Sequence, residues 1–304
     1  FFILTFKLIG VIYASLQWTM VDALIRLLGQ FFFLILLLLS SWFNISSDYI
    51  YVAIASTIPL LILYLSLNIY FMLFKNRNLC FSLNLTSKEV GFSLLSLGMG
   101  FFIIQISSIV LYSTDNLIIN TLISAEAVTL YNITYKYFGI PHMIFVLYIS
   151  SHWPSFIDAI SKNDYDWIKK KLKVFNYLFI LLLVTYLIAF VLFEFVIEIW
   201  IPNSTLNLDR KLSISTIIYY LISSYTTIYI YVVNASSKIV LQKYLYIIIA
   251  IINIPLSVFL VKYFEMGPAG VITASSICLI LLLLFIPIQS FKILNNTTYG
   301  IWKK

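Results

Sequence analysis

Charged side chains are scarce in this chain of 304 residues: they make up only 10%, whereas a soluble domain carries about 25%. Hydrophobic residues make up 62%, so the chain lacks the polar surface that a domain of this size needs in water. These fractions exclude an ordinary soluble domain and favour an integral membrane protein. Because Lys and Arg cluster in short gaps between apolar runs, the net charge of +7 is typical of a membrane protein, and we expect no nucleic-acid partner.

Cysteine and histidine are also scarce, with two of each, which limits the chemistry available to the chain. Cys80 lies in a basic loop and Cys278 in an apolar run far from it, so we predict no disulfide. His142 and His152 have no carboxylate or cysteine partner at the spacing of metal ligands. We therefore expect no metal site and no cofactor, and no recognisable acidic catalytic motif indicates an enzyme.

Long apolar runs fill most of the chain, and a helix that crosses a bilayer needs about 20 apolar residues. The runs predict an all-α fold, a polytopic membrane bundle of about eight transmembrane helices. Residues 1–15 are expected to be the tail of an earlier span, and the start at Phe1 inside an apolar stretch predicts that further sequence precedes it. The predicted spans are 18–43, 49–74, 91–121, 126–157, 174–200, 212–234, 240–262 and 268–291.

The connections between these spans alternate in charge. One side carries 14 of the 19 Lys and Arg residues, and the other side carries Arg210, Lys211 and Lys262. The positive-inside rule places the lysine-rich side, and with it the C-terminus, in the cytoplasm.

The inner and outer connections also differ in length. The longest inner connection, 161–173, is predicted to be an amphipathic surface helix capped by Asn163, with Asp164 and Asp166 in its first turn. Its apolar side would consist of Ile168, Leu172 and Phe175. The outer connections are too short to hold an active site, and they cover 44–48, 122–125, 201–211 and 263–267.

Polar residues recur at helical spacing on three of the predicted spans. Such residues are costly in a membrane and usually face the bundle interior or a wet cavity. Three polar faces in one bundle therefore favour a hydrated cavity over a solid helical core. The stripes are Gln105, Ser108, Tyr112 and Asp115 on the third span, Thr129, Asn132 and Lys136 on the fourth, and Thr216, Tyr220, Ser223, Thr227 and Asn234 on the sixth.

Asp115 and Lys136 are the two charges deepest in these stripes. Their helices meet near Ser124, and a rise of 1.5 Å per residue puts the two side chains at depths that differ by roughly 5 Å. Two interpretations stay open. The charges form an ion pair between neighbouring helices, or Lys136 is a cationic site for an anionic substrate and Asp115 tunes that site or carries protons.

The remaining charges within the spans form two close pairs. Asp22 and Arg26 are four residues apart near the inner end of the first complete span, where local pairing is the simpler interpretation. Glu194 and Glu198 share a helix face near the outer end of the fifth span, beside Trp200. They lie at the water boundary or line a vestibule, and all four residues are kept as candidates for coupling or vestibule roles.

A set of short motifs runs along the chain from about Ile12 onward. The motifs are Asp115–Ile119, Ala127–Val128, Tyr131–Ile133 with Lys136, Ser151–Ala159, Asn163–Asp164, Asp166–Ile168, Asn234 and Gly267–Ile272. In order and in placement on the predicted helices, the set resembles the bacterial polysaccharide (O-antigen) flippase family of the multidrug/oligosaccharidyl-lipid/polysaccharide exporter superfamily.

The resemblance implies twelve helices in two six-helix lobes around a central cavity. This chain would then supply the last two thirds of such a transporter. Residues 1–74 would be the remnant of the first lobe, 75–90 a cytoplasmic inter-lobe linker, and 91–304 the second lobe.

The resemblance also implies a function, which is to flip an undecaprenyl-pyrophosphate-linked oligosaccharide repeat from the inner to the outer leaflet of the bacterial inner membrane. The expected partners are this lipid-linked oligosaccharide, membrane lipids, and a polysaccharide polymerase with its chain-length proteins. Protons or sodium ions would drive the step. The expected cavity residues are Lys136 as the leading contact, Asp115, Asn132, Thr129, Gln105, Tyr112 and Asn234.

Two other functions remain open at this point. One is a small-molecule or drug exporter of the same superfamily, which would bind its substrate directly. The other is a membrane-embedded O-antigen polymerase, which would need catalytic groups at a water-exposed face.

Overall fold

The computed structural model describes residues 2–16, 18–42, 49–75, 87–202 and 208–302. The structure is 90% helical, and no strand occurs among these residues. Within the same ranges, 8 helices are long and apolar enough to cross a membrane. The predicted all-α, polytopic bundle is therefore confirmed.

The helices follow one another with short connections. They are α1 (Phe2–Phe6), α2 (Leu8–Ser15), α3 (Thr19–Trp42), α4 (Tyr49–Tyr70), α5 (Lys88–Leu122), α6 (Ala125–Ser151), α7 (Trp153–Ser161), α8 (Tyr165–Trp200), α9 (Arg210–Ala235), α10 (Val240–Tyr263) and α11 (Pro268–Leu294). A π-helical turn, Phe71–Lys75, extends α4, and a 3₁₀ turn, Gly300–Trp302, follows α11. The predicted tail of an earlier span over 1–15 consists of α1 and α2, and the predicted connection 44–48 lies outside the described residues.

The predicted surface helix over 161–173 is wrong. The short helix α7 ends at Ser161, and α8 runs without a break from Tyr165 to Trp200. Asp164, rather than Asn163, caps α8 by accepting a hydrogen bond from the backbone N–H of Trp167 at 3.1 Å. Asn163 instead takes a left-handed turn conformation with φ of 56°.

The reason for this error lies in the apolar side of the segment. Ile168, Leu172 and Phe175 are buried, as their spacing predicts. They are buried in the same core as the residues that follow them along α8, and Phe156 of α7 stacks on Phe175. Because this buried stripe continues into the membrane-spanning part, the lysines of the segment belong to the first turns of a long helix.

Phe1–Lys88 form one compact unit, which contains α1 to α4. Its centre is the fully buried Tyr64, whose hydroxyl donates a hydrogen bond to Asp22 Oδ1 at 2.8 Å. Asn68 donates to the backbone oxygen of Phe6 at 2.9 Å and so joins α4 to α1. The assignment of this region to a first lobe stays a prediction, and residues 76–86 of the predicted linker lie outside the described part of the chain.

Glu89–Lys304 form the second unit, in which α9 is the central helix. It packs on α6, α7, α8 and α11. α11 runs parallel to α9, and the Thr273 hydroxyl donates to Ser215 at 3.1 Å. α10 packs antiparallel on α11, where Asn253 donates to Ser275 at 2.9 Å. The assignment of 91–304 to a second lobe also stays a prediction.

The start of α11 packs closely on the end of α10. Gly270 and Ala274 are buried on one face of the helix. A Cβ atom at Gly270 would lie 3.3 Å from the carbonyl carbon of Leu260, so the missing side chain is what allows α11 to approach the backbone of α10.

The second unit has two ends that differ in charge. We call one the lysine-rich end; it holds Lys162, Lys169, Lys170, Lys171, Lys173, Lys238, Lys243 and Lys292. We call the other the Ser124 end; it holds the α5–α6 connection, Trp200 and Lys262. The location of the lysine-rich end in the cytoplasm stays a prediction.

Candidate functional site

Two adjacent hydrogen bonds join α5 to α6 near the Ser124 end. The Tyr131 hydroxyl donates to Asp115 Oδ2 at 2.6 Å, and the Asn132 side chain donates to Asn116 Oδ1 at 3.1 Å. The two helices meet at a tight turn, where the Ser124 side chain caps α6 by accepting from the backbone N–H of Ala127 at 3.1 Å. This turn fixes the register in which the four side chains pair.

Asp115 is buried in this seam, with 4% of its surface exposed. Its Oδ2 accepts the Tyr131 hydroxyl, and its Oδ1 is buried without a hydrogen-bond partner among the described residues. Of the two interpretations left open, the ion pair between Asp115 and Lys136 is wrong, because the carboxylate pairs with Tyr131 and no ion pair of the described residues includes either charge.

Helix geometry explains why Lys136 does not reach Asp115. At 100° per residue, side chains five positions apart on α6 point in directions that differ by about 140°. Because Tyr131 pairs with Asp115, Lys136 is turned away from that carboxylate, although Asn132, about 40° from Lys136 around the helix, still reaches Asn116 of α5. The comparison of depths that suggested the ion pair took no account of this rotation.

Lys136 instead lines an open cleft of about 530 Å³ between α6 and the C-terminal end of α8. Its side chain is exposed and makes no ion pair or hydrogen bond with another described residue. The three residues of the predicted α6 stripe, Thr129, Asn132 and Lys136, therefore line the same wall of this cleft. We call this the Lys136 cleft; its lining residues are Val128, Thr129, Asn132, Ile133, Lys136, Trp200 and Ile201.

The lining of the Lys136 cleft combines three kinds of polar group with an apolar floor. Thr129 supplies a hydroxyl, which also donates to the backbone oxygen of Ala125 at 3.3 Å. Asn132 supplies an amide, and Lys136 supplies the only cation of the described lining. Val128, Ile133 and the ring of Trp200 supply apolar contacts. Such a surface suits an anionic, hydroxyl-rich group that carries a hydrophobic chain.

The predicted α5 stripe does not line this cleft. Gln105 is exposed on α5, and Ser108 donates to the backbone oxygen of Ile104 at 2.8 Å. The Tyr112 side chain lies outside the part of the structure that is described. Of the α5 candidates, Asp115 alone reaches α6 among the described side chains, and its partner there is Tyr131 rather than a cleft residue.

The predicted α9 stripe is packed within the second unit. Thr216 is fully buried, and its hydroxyl donates to the backbone oxygen of Leu212 at 2.7 Å. Thr227 donates in the same way to Ser223 at 2.8 Å. Hydroxyls that bond to their own helix need no water, so this stripe does not indicate a hydrated face. Asn234 lies half-buried near the lysine-rich end, with its Oδ1 unpartnered among the described residues.

None of the other charged candidates is among the described lining residues of the Lys136 cleft. Arg26 pairs with Asp22 at 3.0 Å, as the local interpretation predicts. Glu194 pairs with Arg210 at 3.7 Å, and this pair joins the end of α8 to the start of α9. Glu198 is exposed near Trp200. Coupling or vestibule roles for these residues stay predictions.

The sequence analysis missed the contacts that hold α6 in place. The Tyr137 hydroxyl donates to the backbone oxygen of Ala189 on α8 at 2.9 Å. The Tyr186 hydroxyl of α8 donates to the backbone oxygen of Phe138 at 3.2 Å. On α6 these bonds are made by Tyr137 and Phe138, the two residues after Lys136, and they fix the rotation of the helix. Single tyrosines on two neighbouring apolar spans carry no periodic signal that would reveal these contacts.

A second missed feature joins α6 to α9. The Tyr220 hydroxyl donates to the backbone oxygen of Tyr135 at 3.0 Å, and His142 Nδ1 lies 2.8 Å from the Ser224 hydroxyl. A Cβ atom at Gly139 would lie 2.8 Å from the Tyr220 hydroxyl, so this glycine makes room for the tyrosine. His142 therefore has its hydrogen-bond partner on α9.

One curated protein supports the sequence resemblance. The chain is 28% identical over 148 residues to a protein of Yersinia pseudotuberculosis named "Putative O-antigen export protein". The match covers 48% of this chain and 34% of the relative, so the chain spans about a third of the length of the protein it matches. No family profile matches the chain, and no solved structure matches it.

Proposed function

We propose that this chain belongs to a membrane transporter for polysaccharide export, which flips a lipid-linked oligosaccharide from the inner to the outer leaflet. Three observations support the proposal: the eight helices able to cross a membrane, the polar Lys136 cleft, and the likeness to an O-antigen export protein. The chain would contribute one complete lobe and part of another. Its proposed location is the bacterial inner membrane, with the lysine-rich end in the cytoplasm.

The Lys136 cleft is the observation that carries the proposal. An exposed, unpaired lysine on a membrane-spanning helix is costly unless the site is wet or the charge meets an anion. A pyrophosphate-linked sugar offers both a multiply charged anion and hydroxyl groups. Lys136 would contact the pyrophosphate, and Thr129 and Asn132 would contact oxygen atoms nearby.

Asp115 contributes to this site by positioning, in our proposal. Its bond with Tyr131 sets the register of α6 against α5, while Asn132 pairs with Asn116 one residue further on. The same register turns Lys136 into the cleft. Asp115 would therefore act on the substrate through the orientation of α6.

The test begins with deletion of the gene for the full-length protein in the source bacterium. Surface polysaccharide and the leaflet location of its lipid-linked repeat are then measured. The proposal predicts loss of surface polysaccharide with repeats trapped on the cytoplasmic leaflet. Complementation with the full-length gene should restore both.

Other results would point to the alternative functions. Repeats that reach the outer leaflet but stay unpolymerised would contradict the flippase proposal and indicate a polymerase. An unchanged surface with altered efflux of small molecules would contradict it in favour of a drug or metabolite exporter.

A further inference from the structure

A second polar cavity lies at the lysine-rich end of the second unit, between α5 and the start of α10. Its volume is about 310 Å³. Its polar lining consists of the hydroxyls of Ser93, Ser96 and Ser237 and the ammonium group of Lys243. It shares no lining residue with the Lys136 cleft. The cavity is therefore a separate feature of this unit.

The serine hydroxyls of this cavity are free to bind a ligand. Elsewhere on α5, Ser108, Thr114 and Thr121 donate their hydroxyls to backbone oxygens of the preceding turn. Ser93 and Ser96 make no such bond, and no partner for either hydroxyl occurs within the described residues. Both side chains are exposed, so their hydroxyls are accessible to a ligand.

The charge of the cavity is positive and uncompensated by its lining. Lys243 lies in the first turn of α10, and its Nζ is 5.0 Å from the ring centre of Tyr244. No acidic residue is among the described lining residues. The first turn of a helix already carries a partial positive charge, so a lysine there is unfavourable unless an anion is nearby. Ile239, the residue before the helix, offers no side-chain cap.

Gly100 of α5 and Ile239, the residue before α10, lie against each other in the lining of the cavity. A Cβ atom at Gly100 would lie 2.8 Å from Ile239 Cδ1, so α5 approaches the start of α10 where it has no side chain. Several side-chain donors thus line one small space: hydroxyls from both sides and an ammonium group. A tetrahedral oxyanion accepts hydrogen bonds from such an arrangement.

We propose that this cavity binds a phosphate group at the lysine-rich surface of the membrane. The phosphate comes from the headgroup of an anionic phospholipid or from inorganic phosphate in solution. The site is independent of the proposed transport function. It makes the lysine-rich end of α5 and α10 an anion-binding surface.

The test uses the full-length purified protein in zwitterionic lipid, titrated with phosphatidylglycerol in one arm and with inorganic phosphate in the other. Bound ligand is counted by native mass spectrometry. The Lys243→Gln variant should bind about tenfold more weakly, because a charge-assisted contact to phosphate contributes on the order of one decade in affinity. The matched control is Lys262→Gln, which changes an exposed lysine at the other end of α10 and should leave binding unchanged.

The two arms distinguish the sources of the phosphate. Binding of phosphatidylglycerol that depends on Lys243 assigns the site to a lipid headgroup. Binding of inorganic phosphate alone that depends on Lys243 assigns it to the soluble ion. The double variant Ser93→Ala, Ser96→Ala tests the cavity without changing its charge and should also weaken binding. Equal binding by the wild type and both cavity variants in both arms would overturn the proposal.

Discussion

The Tyr131 hydroxyl and the Asp115 carboxylate form a hydrogen bond of 2.6 Å between α6 and α5. Asp115 has only 4% of its surface exposed, and the bond satisfies one of its two carboxylate oxygens. Its helix, α5, is long and apolar enough to cross a membrane. The bond also sets which side of α6 faces α5. Lys136, on another side of α6, is thereby left to line the cleft.

The positioning role of Asp115 predicts a difference between two substitutions. Asp115→Asn keeps an oxygen that can accept from Tyr131 and should retain most of the export activity. Asp115→Leu leaves the Tyr131 hydroxyl buried and unpaired, which costs about 1–2 kcal/mol and should lower both thermal stability and export. Thermal unfolding in detergent and surface polysaccharide in cells measure the two effects.

A charge-dependent role for Asp115 would give the opposite ranking. If Asp115→Asn abolished export while the protein remained as stable as the wild type, the positioning proposal would fail and a role for the negative charge or its proton would follow. Tyr131→Phe removes the same hydrogen bond from the other side, and Tyr177→Phe is its control at an exposed position.

The Lys136 cleft predicts that one lysine matters more for export than the others. Lys136→Ala in the full-length protein should reduce the rate of repeat translocation at least tenfold, because it removes the cation that we propose contacts the pyrophosphate. Lys170→Ala removes an exposed lysine at the lysine-rich end and should have little effect. Equal translocation by the two variants, at equal amounts of inserted protein, would remove Lys136 from the mechanism.

The contact between Gly139 and Tyr220 predicts a rescue experiment. Gly139→Ala places a Cβ atom 2.8 Å from the Tyr220 hydroxyl and should lower thermal stability, although alanine by itself favours a helix by about 1 kcal/mol. Adding Tyr220→Phe removes the oxygen that clashes and should restore stability toward that of Tyr220→Phe alone. A double variant as unstable as the sum of both single variants would contradict this interpretation.

The orientation of the helices predicts which lysines can be labelled from outside the cell. Lys262→Cys should react with a membrane-impermeant maleimide in intact cells, since the positive-inside rule puts the Ser124 end outside. Lys170→Cys should react only after the cells are opened. Both positions are exposed, and the native Cys278 is buried, so it should not contribute signal. Cys80 is replaced by serine in both variants.

Most of the fold could be predicted from composition and hydropathy. Apolar runs of the required length mark the spanning helices, because the thickness of the bilayer sets that length. Within the bilayer the backbone N–H and C=O groups can form hydrogen bonds only with each other, which favours helices. The ends of α10 agree with prediction to within a residue. The start of α8 was missed because lysines usually mark the limit of a span, whereas here they lie on the exposed side of a helix that continues.

The candidate site was predicted in part. The spacing of Thr129, Asn132 and Lys136 correctly placed them on one face, which the structure shows lining one cleft. Tyr131 was not considered as a partner of Asp115, because the open interpretation of an ion pair with Lys136 was guided by opposite charge. A register argument centred on the turn before Ser124 would have found Tyr131 and Asn132, since each lies 16 residues after its partner. The contacts that Tyr137 and Tyr186 make between α6 and α8 depend on tertiary packing and have no signal in the sequence.

The short turn between α5 and α6 has a consequence for how the protein is made. Asp115 and Asn116 find their partners only 16 residues later in the chain. As the nascent chain enters the membrane, the hairpin can pair before α8 to α11 have been synthesised, because local contacts need little loop closure. The translocation machinery can therefore release the two helices into lipid together, with the carboxylate already shielded by its tyrosine.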